Sequence, residues 1–214
     1  MTAYQANRGA SPARFRASSR LALALMPLMV LPALAHSQES PVEAVRSRNV
    51  AVQRMLPPTG DSIDEATKDE LKDVINGLMD FEELSRLALG RYWGDRPPEE
   101  QAEFVDVFRQ LVRRSSVAKL SIHRADSLVY LPPEVTDGGA DVTTIAHKDK
   151  RSLEIVYRMH RKNGEWKAFD VIVDGSSTMR TYRDSFYREI SATSFPAMLR
   201  RLKEKLAEDQ STGF

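Results

Sequence analysis

Hydrophobic positions follow a helical period in the first part of the chain, a strand-like period in the middle and a helical period again at the end. Leu71, Val74, Ile75 and Leu78 occupy positions i, i+3, i+4 and i+7, a spacing typical of one face of an amphipathic helix. Similar patterns predict helices over residues 40–56, 81–89 and 97–120. The period becomes strand-like after Asp126, where β-branched residues are frequent.

Four strand-like runs follow, and the last two flank Asn163-Gly164. An Asn-Gly pair favours a two-residue hairpin turn because both turn positions need a positive φ. Helical patterns resume over residues 179–190 and 195–206. Helices that are segregated from consecutive strands predict an α+β fold. We expect N-terminal helices, a four-stranded, mainly antiparallel sheet and C-terminal helices.

The hairpin around Asn163-Gly164 is apolar on both of its faces. A two-residue turn places Tyr157 opposite Asp170 and Ile155 opposite Ile172 in the predicted register. An antiparallel hairpin with one solvated face would alternate apolar and polar residues, and the middle of this one does not. We therefore expect helices, a partner or a ligand to cover each side, with an apolar cavity between sheet and helices as one arrangement.

The first 35 residues have the pattern of a cleaved secretory signal peptide. They contain four arginines and no acidic residue, then an apolar run over residues 21–31, and then Ala33-Leu34-Ala35 before His36. The apolar run is too short to span a membrane. We expect cleavage after Ala35, which would leave residues 36–214 as a single domain exported to the periplasm of a Gram-negative cell.

Cysteine usage and charge exclude several classes of function. The chain has no cysteine, so the mature protein should lack a lipidated N-terminus, disulfides and thiolate chemistry, and we expect it to be soluble. Removing the four leader arginines from the 31 basic residues leaves 27 against 30 acidic residues, a net charge of −3. This balance argues against a nucleic-acid partner.

The chain offers little for catalysis, and we predict neither a catalytic residue nor a metal site nor a cofactor. His123, His147 and His160 share no metal-ligand spacing. Asp170 is unusual because it lies in the middle of an apolar strand, where an unpaired carboxylate would be costly. It could be a buried acceptor for backbone N–H groups or for Tyr157, or alternatively the base of an enzyme.

Three ordered segments resemble signatures of one known family. The string FEELSRLALGRYW at residues 81–93, followed by PEEQAEF at 98–104, is similar to a helical segment of the MlaC family, also called the toluene-tolerance auxiliary family. The string GEWKAFDV at 164–171 resembles the hairpin of this family. The signature that follows the hairpin is similar to Asp174-Gly175, Ser177, Tyr182-Arg183 and Phe186. The likeness extends over about residues 42–206.

This resemblance implies a periplasmic carrier of phospholipid that binds acyl chains in a deep cavity between sheet and helices. It also implies partners: an outer-membrane lipoprotein complex and an inner-membrane ABC transporter with an MCE-domain subunit. The carrier itself would hold no metal or nucleotide. Its role would be to preserve the lipid asymmetry of the outer membrane.

We predict that eleven apolar and aromatic side chains line the lipid cavity. They are Leu78, Leu84, Tyr92, Phe104, Phe108, Leu111, Tyr157, Trp166, Phe169, Val171 and Val173. Ligand pockets are mostly apolar with few polar groups, and these residues fit that composition. Two alternatives use the same pocket: an enzyme with Asp170 as its base, and a periplasmic module that binds extended peptide.

Overall fold

The computed structural model describes residues 39–57, 63–117 and 125–211. The predicted signal peptide at residues 1–35 lies outside these ranges, so the cleavage site and the single domain at 36–214 stay predictions. The described helices are α1 Pro41–Met55, α2 Glu65–Asn76, α3 Phe81–Leu89, α4 Pro98–Val117, α5 Thr178–Ala192 and α6 Phe195–Ser211. A 3-10 turn, Gly90–Tyr92, follows α3.

Short polar side chains set where these helices begin. Ser40 accepts a hydrogen bond from the Glu43 amide, Asp64 accepts one from the Thr67 amide, and Asp80 accepts from both Glu82 and Glu83. Each side chain thereby satisfies an amide that has no partner within its helix. Proline at the first position of α1 and α4 has no amide to satisfy.

The strands form one antiparallel sheet in the order β1-β3-β4-β5-β6, with β2 also paired to β3. Their bounds are β1 Ser127–Tyr130, β2 Glu134–Thr136, β3 Gly139–Lys148, β4 Arg151–Lys162, β5 Glu165–Val173 and β6 Ser176–Ser177. The α+β prediction is confirmed, but the sheet formed by the described residues has six strands where four were predicted. The two additional strands, β2 and β6, span three and two residues and are too short to show a period of two.

The predicted register of the β4–β5 hairpin is wrong beyond its first residues. Met159 pairs with Ala168 as a two-residue turn requires, but Arg158 then pairs with Asp170 and Tyr157 with Val171. Phe169 is the additional residue of a β-bulge, which shifts the rest of β5 by one position. Because side chains alternate, this shift brings Val171 and Val173 to the same face as Tyr157 and Ile155.

Only one of the two apolar sheet faces is well covered by the described residues. The inner face, which carries Val142, Met159 and Ala168, packs against α1 and Leu78 in one core cluster. On the outer face, Val156 and Ile172 are half-buried and Val129 is exposed. The expected apolar cover is therefore confirmed for the inner face, and a partner or ligand over the outer face stays a prediction.

Most of the buried apolar residues in the described ranges fall into three clusters. The sheet core contains Ala44, Val45, Leu78, Val142, Met159 and Ala168. The α1–α2 core contains Val52 and Leu71 with Val74 and Ile75 beside them. The helical core joins α3 to α6 and contains Leu84, Ala88, Leu89, Phe104, Val107, Phe108, Leu111, Val112, Met179, Phe186, Phe195, Met198, Leu199 and Leu206. These clusters are the walls between which a cavity can form.

Gly90 allows α3 to end close against α5. Its φ is +48°, and a Cβ at this position would collide with the Tyr187 hydroxyl. That hydroxyl accepts a hydrogen bond from the Arg91 amide at 3.0 Å. Tyr92 packs edge-on against the Tyr187 ring at 5.2 Å, so the aromatic turn fastens α3 to α5.

Candidate functional site

A narrow cavity of about 120 Å³ lies where the three core clusters meet. The sheet contributes one wall, α1 and α2 contribute a second, and α4 and the start of α5 close it. Its lining residues are Arg48, Asn49, Ile75, Asn76, Leu78, Met79, Val112, Ser115, Ile155, Tyr157, Val171, Val173 and Thr178. The predicted apolar cavity between sheet and helices is thus present.

The β-bulge at Phe169 determines which residues of β5 reach this cavity. After the bulge, Val171 pairs with Tyr157 and Val173 pairs with Ile155, so all four line one wall. Without the additional residue, Ile172 and Asp170 would occupy that face. Because of the bulge, Val171 and not the carboxylate of Asp170 lies at the cavity wall opposite Tyr157.

A small polar network ends one side of the cavity. The Asn49 amide donates to the Tyr130 hydroxyl at 3.1 Å and also interacts with the Tyr157 hydroxyl. Burial raises the pKa of Tyr157 to about 12, because the phenolate form is poorly solvated there and Tyr130 adds a repulsive charge; the Asn49 hydrogen bond opposes this shift. Tyr157 is therefore a neutral hydrogen-bonding group at physiological pH.

This pKa predicts an alkaline loss of stability that depends on Tyr157. An unfolded tyrosine ionises near pH 10.0, whereas the folded one remains protonated until about pH 12. The stabilisation is complete below pH 10 and is lost as the pH rises through the folded pKa, because the unfolded state then releases its proton first. The free energies of unfolding of wild type and Tyr157→Phe, measured in urea, should therefore converge between pH 10 and about pH 12. If the two free energies change in parallel from pH 9 to 12, the assignment is wrong.

Asp170 does not face the cavity. Its carboxylate is fully buried; Oδ2 accepts from the Ser177 hydroxyl at 2.6 Å and Oδ1 accepts from the Met179 amide at 2.9 Å. Arg158 pairs with it across the hairpin, rather than Tyr157. Asp170 therefore connects β5 to the first turn of α5, which matches the buried-acceptor alternative.

A second and larger concavity of about 770 Å³ is an open groove between α4, the start of α3 and the β4–β5 turn. Its floor includes Phe81, Trp93 and Val105, but charged side chains of both signs form much of its rim. Asp80 lies at this rim and binds Lys162 at 2.8 Å and His160 at 3.0 Å. Burial alone would raise the pKa of Asp80, but these partners and the Glu83 amide lower it.

The structure brings four of the eleven predicted lining residues to the narrow cavity: Leu78, Tyr157, Val171 and Val173. Four others, Leu84, Phe104, Phe108 and Leu111, are buried in the helical core. Tyr92 packs on Tyr187, and Phe169 contacts the His160 ring at 5.4 Å. Trp166 donates from Nε1 to the Glu39 carbonyl at 2.9 Å, at the start of α1.

None of the α1 and α4 residues that line the cavity was among the eleven predicted lining residues. Arg48 and Asn49 are polar, and Val112 and Ser115 are part of a helix whose neighbouring turns belong to the helical core. The sequence pattern places Ile155 and Ile75 among apolar positions but does not assign them to a cavity. The cavity depends on how three clusters meet, which periodicity does not encode.

The described ranges contain no group of three or more His, Asp or Glu side chains arranged for a metal ion. In the same ranges, no helix combines the length and the apolar content that crossing a bilayer requires.

Comparison with known proteins gives a consistent assignment. A solved phospholipid-binding protein from Ralstonia solanacearum, in complex with a phospholipid, is similar in fold: its TM-score is 0.67 at 23% sequence identity, over 80% of this chain and 97% of that one. No curated protein matches significantly. A family model described as MlaC protein matches residues 51–204. This match extends over more than half of the chain, from within α1 to within α6, and the chain therefore belongs to the MlaC family.

Proposed function

We propose that this protein is a soluble periplasmic carrier that binds phospholipid by its acyl chains and moves it between the two membranes. The observation that carries the proposal is the apolar cavity between the inner sheet face and helices α1, α2 and α4. The family match and the phospholipid bound by a protein of similar fold support the same ligand class.

The chemistry of the cavity suits acyl chains better than a reacting substrate. Ile75, Leu78, Ile155 and Val173 present hydrocarbon, and each methylene removed from water stabilises the complex by ~0.8 kcal/mol. Asp170, the residue that an enzyme hypothesis would use as base, is buried on the other sheet face with both oxygens hydrogen-bonded. This arrangement supports binding rather than catalysis.

The cavity must widen when lipid enters. A cavity of about 150 Å³ holds a molecule the size of benzene, whereas pockets for larger ligands measure roughly 300–1,000 Å³. At about 120 Å³, this cavity is in a closed form. Because it lies between three clusters rather than inside one, it can expand by separating them, without breaking the packing inside any of them.

Such a carrier needs partners for loading and release, because a lipid with two buried chains would leave slowly without help. We propose that it exchanges lipid with an outer-membrane lipoprotein complex and with an inner-membrane ABC transporter that has an MCE-domain subunit. The exchange would maintain the lipid asymmetry of the outer membrane.

Native mass spectrometry tests the proposal. The full chain, expressed with its own leader in a Gram-negative host, should be recovered from the periplasm, without its first 35 residues, carrying about one stoichiometric phospholipid. After delipidation it should take up labelled phospholipid from vesicles. A lipid-free mass together with no uptake, also in the presence of candidate partners, would contradict it; binding of extended peptide instead would favour a polypeptide-binding module.

A further inference from the structure

Arg48 places a positive charge in the wall of the apolar cavity. It lies on α1, is half-buried, and lines the cavity together with Ile75 and Leu78. Its guanidinium packs against Gly77, just after the end of α2: a Cβ on Gly77 would lie 3.1 Å from Nη1. The absence of a side chain at Gly77 thus leaves room for the guanidinium at this point.

The other polar groups that line the cavity already have partners within the protein. Asn49 donates to Tyr130 at 3.1 Å and interacts with Tyr157. Asn76 donates to the Lys72 carbonyl at 2.6 Å. The Ser115 hydroxyl donates to the Val112 carbonyl and the Thr178 hydroxyl donates to the Val171 carbonyl, each at 2.9 Å. None of them needs a ligand to satisfy it.

Arg48 differs from all of these groups. Within residues 39–57, 63–117 and 125–211, it has neither a hydrogen bond nor an ion pair. Glu165 interacts electrostatically with Arg48, but its carboxylate is already paired with Lys167 at 2.9 Å. A half-buried guanidinium without an acceptor retains five unused N–H donors, and burial of such a group is costly unless an anion joins it.

We infer that Arg48 binds the phosphodiester of the bound lipid and so fixes its head end beside Gly77. A guanidinium matches two oxygens of a phosphate group with two parallel hydrogen bonds, and the apolar lining beyond it accepts the chains. The inference rests on the proposed function and adds a specificity: the site selects lipids that carry a phosphate over neutral lipids with identical chains. Arg48 would recognise the phosphate group itself and would not distinguish between the head-group alcohols esterified to it.

Binding assays on the delipidated mature protein test this role. The ligands are a fluorescent phosphatidylglycerol, a phosphatidylethanolamine and a diacylglycerol that share their acyl chains. The variants are Arg48→Gln and Arg48→Lys, and the matched control is Arg54→Gln, which removes the same charge from an exposed position on the same helix. Among the described residues Arg48 makes neither a hydrogen bond nor an ion pair, so Arg48→Gln should not lower the urea midpoint of the lipid-free protein.

The affinity of the wild type for both phospholipids should be at least about tenfold higher than its affinity for the diacylglycerol, which is the usual effect of a hydrogen bond to a charged group. Arg48→Gln should reduce phospholipid affinity by about the same factor and leave diacylglycerol binding unchanged. Arg48→Lys keeps the charge but loses the two parallel hydrogen bonds, so its phospholipid affinity should lie between those of wild type and Arg48→Gln. Arg54→Gln should bind phospholipid with wild-type affinity.

Three outcomes separate the inference from the function on which it rests. Unchanged phospholipid affinity in Arg48→Gln, with wild-type binding intact, overturns the role of Arg48 and leaves the carrier function standing. Absence of lipid binding by the wild type overturns both. Inorganic phosphate that binds the lipid-free protein through Arg48, while phospholipid binding is insensitive to Arg48, makes free phosphate the ligand and overturns the lipid assignment.

Discussion

Replacing Asp170 with alanine should lower the free energy of unfolding by about 3 kcal/mol or more, because each hydrogen bond to a buried charged group contributes about 1.5–3 kcal/mol. The substitution removes the acceptor of the Ser177 hydroxyl and of the Met179 amide. Both donors are then left in a buried region without a partner. Urea unfolding followed by circular dichroism measures the loss.

The position of Asp170 explains why the effect should be so large for one side chain. The Met179 amide belongs to the first turn of α5, where amides lack partners within the helix and the helix dipole favours a negative charge. Ser177 in turn accepts from the Arg180 amide at 3.0 Å. The carboxylate therefore supports both the cap of α5 and the connection from β5 to that helix.

Two further variants give the controls. Asp184→Ala removes an exposed carboxylate from α5 and should change the unfolding free energy by less than about 0.5 kcal/mol. Asp170→Asn keeps one acceptor oxygen and should cost less than Asp170→Ala. Equal stability of Asp170→Ala and Asp184→Ala would show that the carboxylate contributes nothing to the fold.

The helices and the hairpin turn were predictable because their determinants are local. Ser40 and Asp80 cap helices through side chains three or fewer residues away from the amides they bind. Asn163 and Gly164 both have positive φ, as the predicted turn requires. Each of these features depends on a few consecutive residues, so the sequence alone carries the information.

The bulge and the cavity were not predictable because they depend on distant segments. Phe169 is displaced where Ala168 also bonds to the 78–80 segment, accepting from Asp80 and donating to Leu78 at 2.8 Å. This contact joins residues nearly ninety positions apart. Phe104 and Phe108 illustrate the same point: their composition suits a lipid pocket or a core, and only the packing of α4 against α5 and α6 assigns them to the core.

Val171→Phe should abolish most lipid uptake while leaving the fold intact or more stable. Val171 lines the cavity wall formed by Tyr157 and Ile155, so a ring at this position would fill space that acyl methylenes need. Exclusion of about four methylenes at ~0.8 kcal/mol each reduces affinity more than a hundredfold. Filling the whole of the roughly 120 Å³ cavity would raise stability by no more than about 3 kcal/mol, at ~24 cal/mol per Å³.

Two matched substitutions determine what a loss of uptake means. Ile172→Phe adds a similar ring one residue away, on the outer sheet face, and should bind lipid like wild type. Ala102→Phe places a ring in the larger open groove and separates the two concavities as lipid sites. An acyl chain in that charged, open groove would remain in contact with water. We therefore expect Ala102→Phe to take up lipid like the wild type. Loss of uptake in Ala102→Phe, with normal uptake in Val171→Phe, would move the lipid site from the cavity to the groove.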